Sequence, residues 1–428
     1  GVAPRDRLQL PRHCTINTFF NDMMGGYIIG PYLNEYYNGH DDEFHRQVAD
    51  VDARIQLVMD LRRGKLLKVF PYTVNGNTTW YAPTDIMPDS AVAPADRQYM
   101  QNVFSLIYQE ALAGNMASVG NIADKMLRYQ HKNGGSSLPS DMQTRAERLY
   151  NAVPFATILF MLNLGMGFAT LFAVLWLMTR PTRRTLRGSM LMKIAVAVML
   201  LSFAALTLCV ALRWLIRGTA PMANGYETML LMAWIIMAAS LLLCRRFAIV
   251  LTFGFIMSGF FLLVSHISQM DPQITHIMPV LQSPLLSIHV SVIMTAFALL
   301  SLTFICGITA LLLRAMRGSR AEGLAAQLAA LRALSQLFYY PAMAALAVGI
   351  FVGAVWANVS WGTYWSWDAK EVWALITFMV YAAAAHGTSL PMMRRPMPWH
   401  VFMVAAFATI LMTYFGVNYF LGGMHSYA

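Results

Sequence analysis

The sequence predicts an all-α polytopic membrane protein of about eight transmembrane helices, preceded by a mostly helical extracytoplasmic region. Three observations predict this class. Of 428 residues, 57% are hydrophobic and 12% charged, a balance unlike that of a soluble globular chain. From Pro154 onward, apolar runs recur, and each reaches the roughly 18 residues needed to cross a bilayer core of about 30 Å. Arginines gather in alternate loops between those runs, the asymmetry that orients membrane proteins. The net charge of +10 does not signal nucleic acid, because its location is wrong. Residues 1–150 carry 15 Lys/Arg and 16 Asp/Glu, whereas residues 151–428 carry 16 and 5, so the whole excess lies in the apolar part.

Two domains follow from this change in pattern: a soluble region over 1–150 and a transmembrane region over 151–428. In the first, apolar residues at helical spacing predict helices over Glu43–Leu61, Gln98–Ala113 and Met116–Gln130. Between them, Lys65–Tyr72 and Thr78–Tyr81 flank Asn75-Gly76, a two-residue turn signal for a small hairpin. His13, His40, His45 and His131 have no metal-ligand spacing and read as surface residues. No catalytic site is evident here. The chain opens at Gly1 with no signal peptide or upstream anchor, as a fragment or the second half of a larger polypeptide would.

The spans are expected at about 154–179, 191–212, 228–244, 247–265, 285–313, 338–358, 369–390 and 399–418. Arg180, Arg183, Arg184 and Arg187 follow the first, Arg245-Arg246 the third, Arg314, Arg317 and Arg320 the fifth, and Arg394-Arg395 the seventh. Those loops are assigned to the cytoplasm. Residues 1–150, the alternate loops and the C-terminus then face outward, the periplasmic side of a bacterial inner membrane. Gly323–Leu337 reads as a separate cytoplasmic amphipathic helix. The four cysteines form no Cys-x-x-Cys pair, and Cys209, Cys244 and Cys306 lie in apolar runs as structural thiols. Thiol–disulfide exchange is therefore not the expected chemistry.

One outward loop stands apart. Trp361-Gly-Thr-Tyr-Trp-Ser-Trp-Asp-Ala-Lys-Glu-Val-Trp373 concentrates Trp361, Tyr364, Trp365, Trp367 and Trp373 with Asp368, Lys370 and Glu371. Scattered interfacial aromatics form a belt without any ligand, but this density on one loop suits a large planar ligand with a polar edge. Asp368-x-x-Glu371 also reads as a capping box for the following helix. The loop resembles the signature W-G-x-x-W-x-W-D-x-K-E-x-W of the WWD haem-handling family, with every fixed position met. Within that family the chain is most similar to the CcsA type of System II cytochrome c biogenesis, including the C-terminal part of CcsBA fusions. Pro221-Met-Ala-Asn-Gly-Tyr-Glu227-Thr resembles the family's P-x-x-N-x-Y-E-[ST] loop, with Gly225 where an apolar residue is usual. Pro279–Pro284 resembles its segment before the first external histidine, and Tyr150–Phe155 is more weakly similar.

The resemblance implies a holocytochrome c synthase, or haem lyase, that binds haem b non-covalently as substrate. It would present haem for thioether attachment to Cys-x-x-Cys-His of a partner apocytochrome c. His289 and His425 match the two external haem-ligating histidines; imidazole is a standard axial ligand for haem iron. His386, inside an apolar run, matches a further histidine that ligates haem within the membrane, its partner coming from a ResB-like component. The resemblance assigns the macrocycle to Trp361, Tyr364, Trp365, Trp367 and Trp373. Asp368 or Lys370 would orient its polar edge. No protein nucleophile is needed, since the partner supplies the thiols, and catalysis is mostly positioning. His400 reads as interfacial, and His266 and His276 as solvated. Two other classes stay open: a haem exporter or chaperone of the CcmC type serving a separate ligase, and a transporter of another solute with an aromatic belt.

Overall fold

The computed structural model describes residues 15–21, 26–40, 42–74, 76–85, 94–179, 190–266, 272–274, 283–317, 323–387 and 389–421. The chain divides into two compact units, Gly1–Ser140 and Asp141–Ala428.

The first unit holds the short antiparallel pair β1 (Phe20–Asn21) and β2 (Gly26–Tyr27), then α1 (Gly30–Tyr37) and α2 (Glu43–Arg62). The hairpin β3 (Phe70–Val74)–β4 (Asn77–Tyr81) follows, then α3 (Pro94–Leu112) and α4 (Met116–Asn133). The hairpin register pairs Val74 with Asn77, and Gly76 has φ +82°, the positive φ that a tight two-residue turn demands. Phe19, Ile29, Leu33, Phe44, Val48 and Ile55 form one small core. Phe70, Met100, Val103 and Ile122 form another.

His45 is not the surface residue that its polar surroundings in sequence suggest. It is only 7% exposed, with Nδ1 2.5 Å from the Asp42 carboxylate and Nε2 3.0 Å from that of Glu35. Asp42 is also the N-cap of α2, accepting from the His45 N–H at 2.8 Å. Hydrogen bonds from Glu35 and then Asp42 hold the His45 pKa above its usual value.

The second unit contains α5 (Asp141–Ala152), α6 (Phe155–Thr179), α7 (Met190–Arg217), α8 (Gly225–Leu243), α9 (Ile249–His266), α10 (Pro284–Arg317), α11 (Leu324–Trp361), α12 (Ala369–Ala385) and α13 (Pro396–Leu411). A ten-residue π-helix, Met412–Leu421, continues α13. Among the described residues, seven helices are long and apolar enough to cross a membrane, counting α13 and its π extension as one. The eighth apolar helix, α12, has 17 residues, or about 25 Å, the short end of what spans a bilayer. The protein is an all-α integral membrane protein. Cys209, Cys244 and Cys306 are buried free thiols.

Small and polar residues knit the helices where apolar contact alone discriminates little between protein and lipid. A Cβ on Gly167 would lie 2.8 Å from Ile256 Cγ1, and one on Gly259 would lie 2.9 Å from the Leu164 backbone N, so α6 and α9 meet nearly backbone to backbone. Buried Asn163 links three helices: its amide donates to Ser258 Oγ (3.1 Å), and its oxygen accepts from Ser202 Oγ (2.9 Å).

The amphipathic segment at Gly323–Leu337 is not a separate helix. It is the first part of α11, which runs 38 residues straight through Pro341. Leu324, Leu328, Leu331 and Leu334 are buried on one face, so the periodicity was real. A proline inside a helix removes one hydrogen bond and crowds the carbonyl four residues back, and extensive packing on α10 keeps the helix continuous across it.

Candidate functional site

The tryptophan segment closes one end of the helical unit, between α11 and α12. Helix α11 stops at Trp361 because Gly362 adopts φ +78° as its C-cap, with its N–H bonded to Asn358 O. Helix α12 starts at Asp368 with a complete capping box. The Asp368 carboxylate accepts from the Lys370 N–H at 2.9 Å, and Glu371 reaches back to the Asp368 N–H at 3.2 Å. Glu371 Oε2 also accepts from the Ser366 N–H at 2.9 Å. One carboxylate oxygen thus grips the backbone on both sides of Trp367.

Trp367 needs that grip. Its φ of +60° is the one positive φ of a non-glycine residue among the described residues, a conformation that costs about 1–3 kcal/mol. The result is an indole 75% exposed, beside Tyr364 at 60%. Trp365 stands edge-on to Trp367 at 6.0 Å, and Trp356 edge-on to Trp361 at 4.9 Å. Trp365 Nε1 is buried without a hydrogen-bond partner among the described residues; such a donor is costly until an acceptor meets it. Trp373 is half-buried, and its backbone carbonyl accepts from Thr413 Oγ1 at 3.2 Å. Thr413 also pairs with Thr377 at 2.8 Å, fastening α12 to the start of the π-helix.

His289 lies in the first turns of α10 and turns toward α11. Its Nδ1 is 2.8 Å from Gly349 O. A carbonyl only accepts, so Nδ1 carries the proton and Nε2 is the ring's basic nitrogen. Gly349 lies 12 residues before Trp361, about 18 Å along the rod.

A buried charged node braces the same end. Glu227 accepts from Arg213 Nε at 3.2 Å and Nη2 at 2.8 Å, and from the Ala223 N–H at 2.8 Å. Arg217 Nη1 stands 2.6 Å from the same carboxylate. Arg213 Nη1 donates further to Tyr150 Oη (2.6 Å) and Pro272 O (2.7 Å), with its guanidinium 4.9 Å from the Tyr226 ring centre. Asn224 caps α8 by accepting from the Glu227 N–H at 2.9 Å, so the Glu227 backbone starts the helix while its carboxylate holds the arginines. Next to this node, Ser291 donates to Met222 Sδ at 2.9 Å, and Thr228 pairs with Tyr414 Oη at 2.6 Å. The node thereby reaches both the His289 helix and the π-helix. Its arginines were missed in the sequence; their signal was the i, i+4 pair Arg213/Arg217 ending an apolar run.

Two further histidines differ from expectation. His386 is not inside a helix: it is the exposed C-cap of α12, its carbonyl accepting from the Ser389 and Leu390 N–H groups. It stands at the opposite end of α12 from Asp368, and the structure does not bring it to His289. His400 is not interfacial but fully buried, with Nε2 3.2 Å from Leu328 O. Beside it, Trp399 donates to Ser335 Oγ at 3.0 Å, under the Arg332 guanidinium. His266 is exposed and meets Thr157 Oγ1 through Nδ1. His425 and His276 lie outside the described residues.

A family model described as "Cytochrome C assembly protein" matches residues 222–425. The CcsA cytochrome c biogenesis protein of Guillardia theta is 31% identical over 252 residues, 53% of this chain and 83% of that protein. This chain is a CcsA-type member of the cytochrome c assembly family. The CcsA protein of Chlamydomonas reinhardtii is 31% identical over 233 residues, 52% of this chain and 65% of that protein. Protein NrfI of Wolinella succinogenes is 30% identical over 406 residues, 90% of this chain. The chain spans 42% of NrfI's length. The family match takes in Glu227, His289, the tryptophan loop and the π-helix, while Arg213 and Arg217 precede it.

Proposed function

We propose that the chain binds haem b at the tryptophan end of the bundle, non-covalently and as a substrate, and presents it to apocytochrome c. The observation that carries this reading is the His289 imidazole, whose Nδ1 proton is committed to Gly349 O. That second bond is characteristic of metal-ligating histidines: it fixes the tautomer and raises the basicity of the other nitrogen. His425 would supply a second nitrogen to the haem iron, on the strength of the family motif. The exposed faces of Tyr364 and Trp367 suit a planar macrocycle, and the unpartnered Trp365 Nε1 suits a carboxylate on its edge. Trp361 and Trp373 frame the loop, while Asp368 and Lys370 act chiefly by fixing its backbone.

In the reaction, each thiol of the partner's Cys-x-x-Cys-His adds across a haem vinyl group, its sulfur bonding to carbon and its proton passing to the neighbouring carbon. This chain's residues hold and orient the acceptor; the partner supplies the nucleophiles. The tryptophan end faces outward and the arginine loops inward. His386, at the inner end of α12, serves haem within the membrane together with a ResB-like component. Co-expression with an apocytochrome and that component, and with no other maturation protein, tests the reading. Covalent cytochrome c should form, and a His289→Ala, His425→Ala double variant should yield less than a tenth of it. Haem-loaded protein that forms no covalent product would instead identify a carrier of the CcmC type. Normal yield from the well-expressed double variant would overturn the assignment.

A further inference from the structure

We infer that Gly353 and Gly349 of α11 form the seat that sets the ring position and tautomer of His289, making them positioning residues of the site. The inference rests on the haem-ligand reading of His289 and adds a specific structural requirement to it. A Cβ built on Gly353 would lie 2.5 Å from His289 Cε1, 2.7 Å from Nδ1 and 3.2 Å from Nε2. Three ring atoms therefore cover a single glycine, and the imidazole lies on bare backbone. One turn earlier, the Gly349 carbonyl takes the Nδ1 proton at 2.8 Å.

The same two turns lock the neighbouring helix. A Cβ on Gly349 would lie 2.5 Å from Ile293 Cδ1, 2.8 Å from Cγ1 and 3.4 Å from the Ile293 backbone N. His289 and Ile293 are four residues apart on α10, as Gly349 and Gly353 are on α11, so each helix presents one face to the other. Ile293 on Gly349 fixes the approach of the helices, and His289 has no freedom to draw α10 away.

A methyl group at Gly353 would force the ring back by about 1 Å to reach ordinary carbon contact. That retreat lengthens the Nδ1–Gly349 bond from 2.8 Å, to as much as about 3.8 Å where it is directed away from the carbonyl, beyond hydrogen-bond range. One substitution on a different helix thus removes both the position and the proton lock of His289 while leaving the histidine in place.

The test uses the full chain purified with haem and free imidazole as the probe. His289→Gly should lose the native axial-ligand spectrum, and imidazole should restore it by occupying the vacated seat. In His289→Gly/Gly353→Ala, imidazole should bind at least about tenfold more weakly, the equivalent of about 1.4 kcal/mol. This double variant contains no ring to clash, so it remains readable if Gly353→Ala alone misfolds. Where Gly353→Ala folds, its axial spectrum should shift although His289 is intact. Equal imidazole affinity in the two backgrounds, or an unchanged spectrum in folded Gly353→Ala, would overturn the seat but leave His289 as ligand. An unchanged spectrum in His289→Gly would overturn the ligand reading, and the seat with it.

Discussion

Replacing Glu227 by alanine removes the one anion that the described residues place in a node holding two arginines. The side chains of Arg213 and Glu227 have no exposed surface, and that of Arg217 has 7%. Before the change, the carboxylate takes four donors at 3.2 Å or less from Arg213, Arg217 and Ala223. Afterwards the Arg213 guanidinium keeps only neutral acceptors, Tyr150 Oη and Pro272 O, and faces a second buried cation. Breaking a buried pair from one side costs about 3–5 kcal/mol. For a unit of a few hundred residues, at about 2–4 °C per kcal/mol, the melting temperature should fall by about 6–20 °C. Thermal unfolding in detergent at one fixed scan rate measures this. Glu227→Gln, which keeps one acceptor oxygen and loses the charge, should fall between the two. Replacing Arg213 and Glu227 together by methionine should recover stability relative to Glu227→Ala, since well-packed apolar residues often equal a buried pair. A Glu227→Ala protein melting within about 2 °C of the parent would refute the reasoning.

Three further outcomes are expected. Glu371→Ala frees the Ser366 and Asp368 N–H groups, so Trp367 should relax from positive φ; the loop should become protease-sensitive and haem retention should fall. Adding Trp367→Gly, which removes the strain of positive φ, should restore protease resistance but not haem retention. His45 has a raised folded pKa, so its contribution to stability is fully present below the unfolded value and lost as pH rises through the folded one. A neutral ring donates to only one carboxylate; hydrogen exchange over 30–62 should therefore quicken across that window in the parent and not in His45→Gln. In a background lacking native thiols, a cysteine at Thr363 should react with an impermeant reagent from outside intact cells. One at Ser389 should react only after the membrane is opened, and the reverse would invert the assigned orientation.

Features with local causes were legible in the sequence. The hairpin from Phe70 to Tyr81, the capping box Asp368–Glu371 and most of the apolar spans depend on residues close together in the chain and form, although the seventh span stops at Ala385, short of the expected 390, and the sixth is continuous with the segment before it. What was not legible depends on distant partners. His45 looks solvated until Glu35 packs beside it, and His400 looks interfacial until Leu328 of another helix accepts its proton. Arg213 and Arg217 resembled a span's basic end, because nothing local reveals that a carboxylate ten residues beyond Arg217 will bury both. Gly353 was silent for the same reason: a glycine that admits a ring from another helix resembles any other small residue in an apolar run.

Helix α11 spans 38 residues, about 57 Å, nearly twice the thickness of a bilayer core. Leu328, which receives His400, lies near one end; Gly349 and Gly353 lie about two-thirds and three-quarters of the way along; Trp361 ends it. A rotation or slide of this rod would carry the histidine seat and the root of the tryptophan loop as one body, leaving their spacing unchanged. His386 stands on a different helix and does not ride with it. His289 itself sits on α10, so a slide of α11 against α10 would pull the glycine seat from under the ring, whereas joint movement of both helices would change their distance to His386 and keep the ring on its glycines.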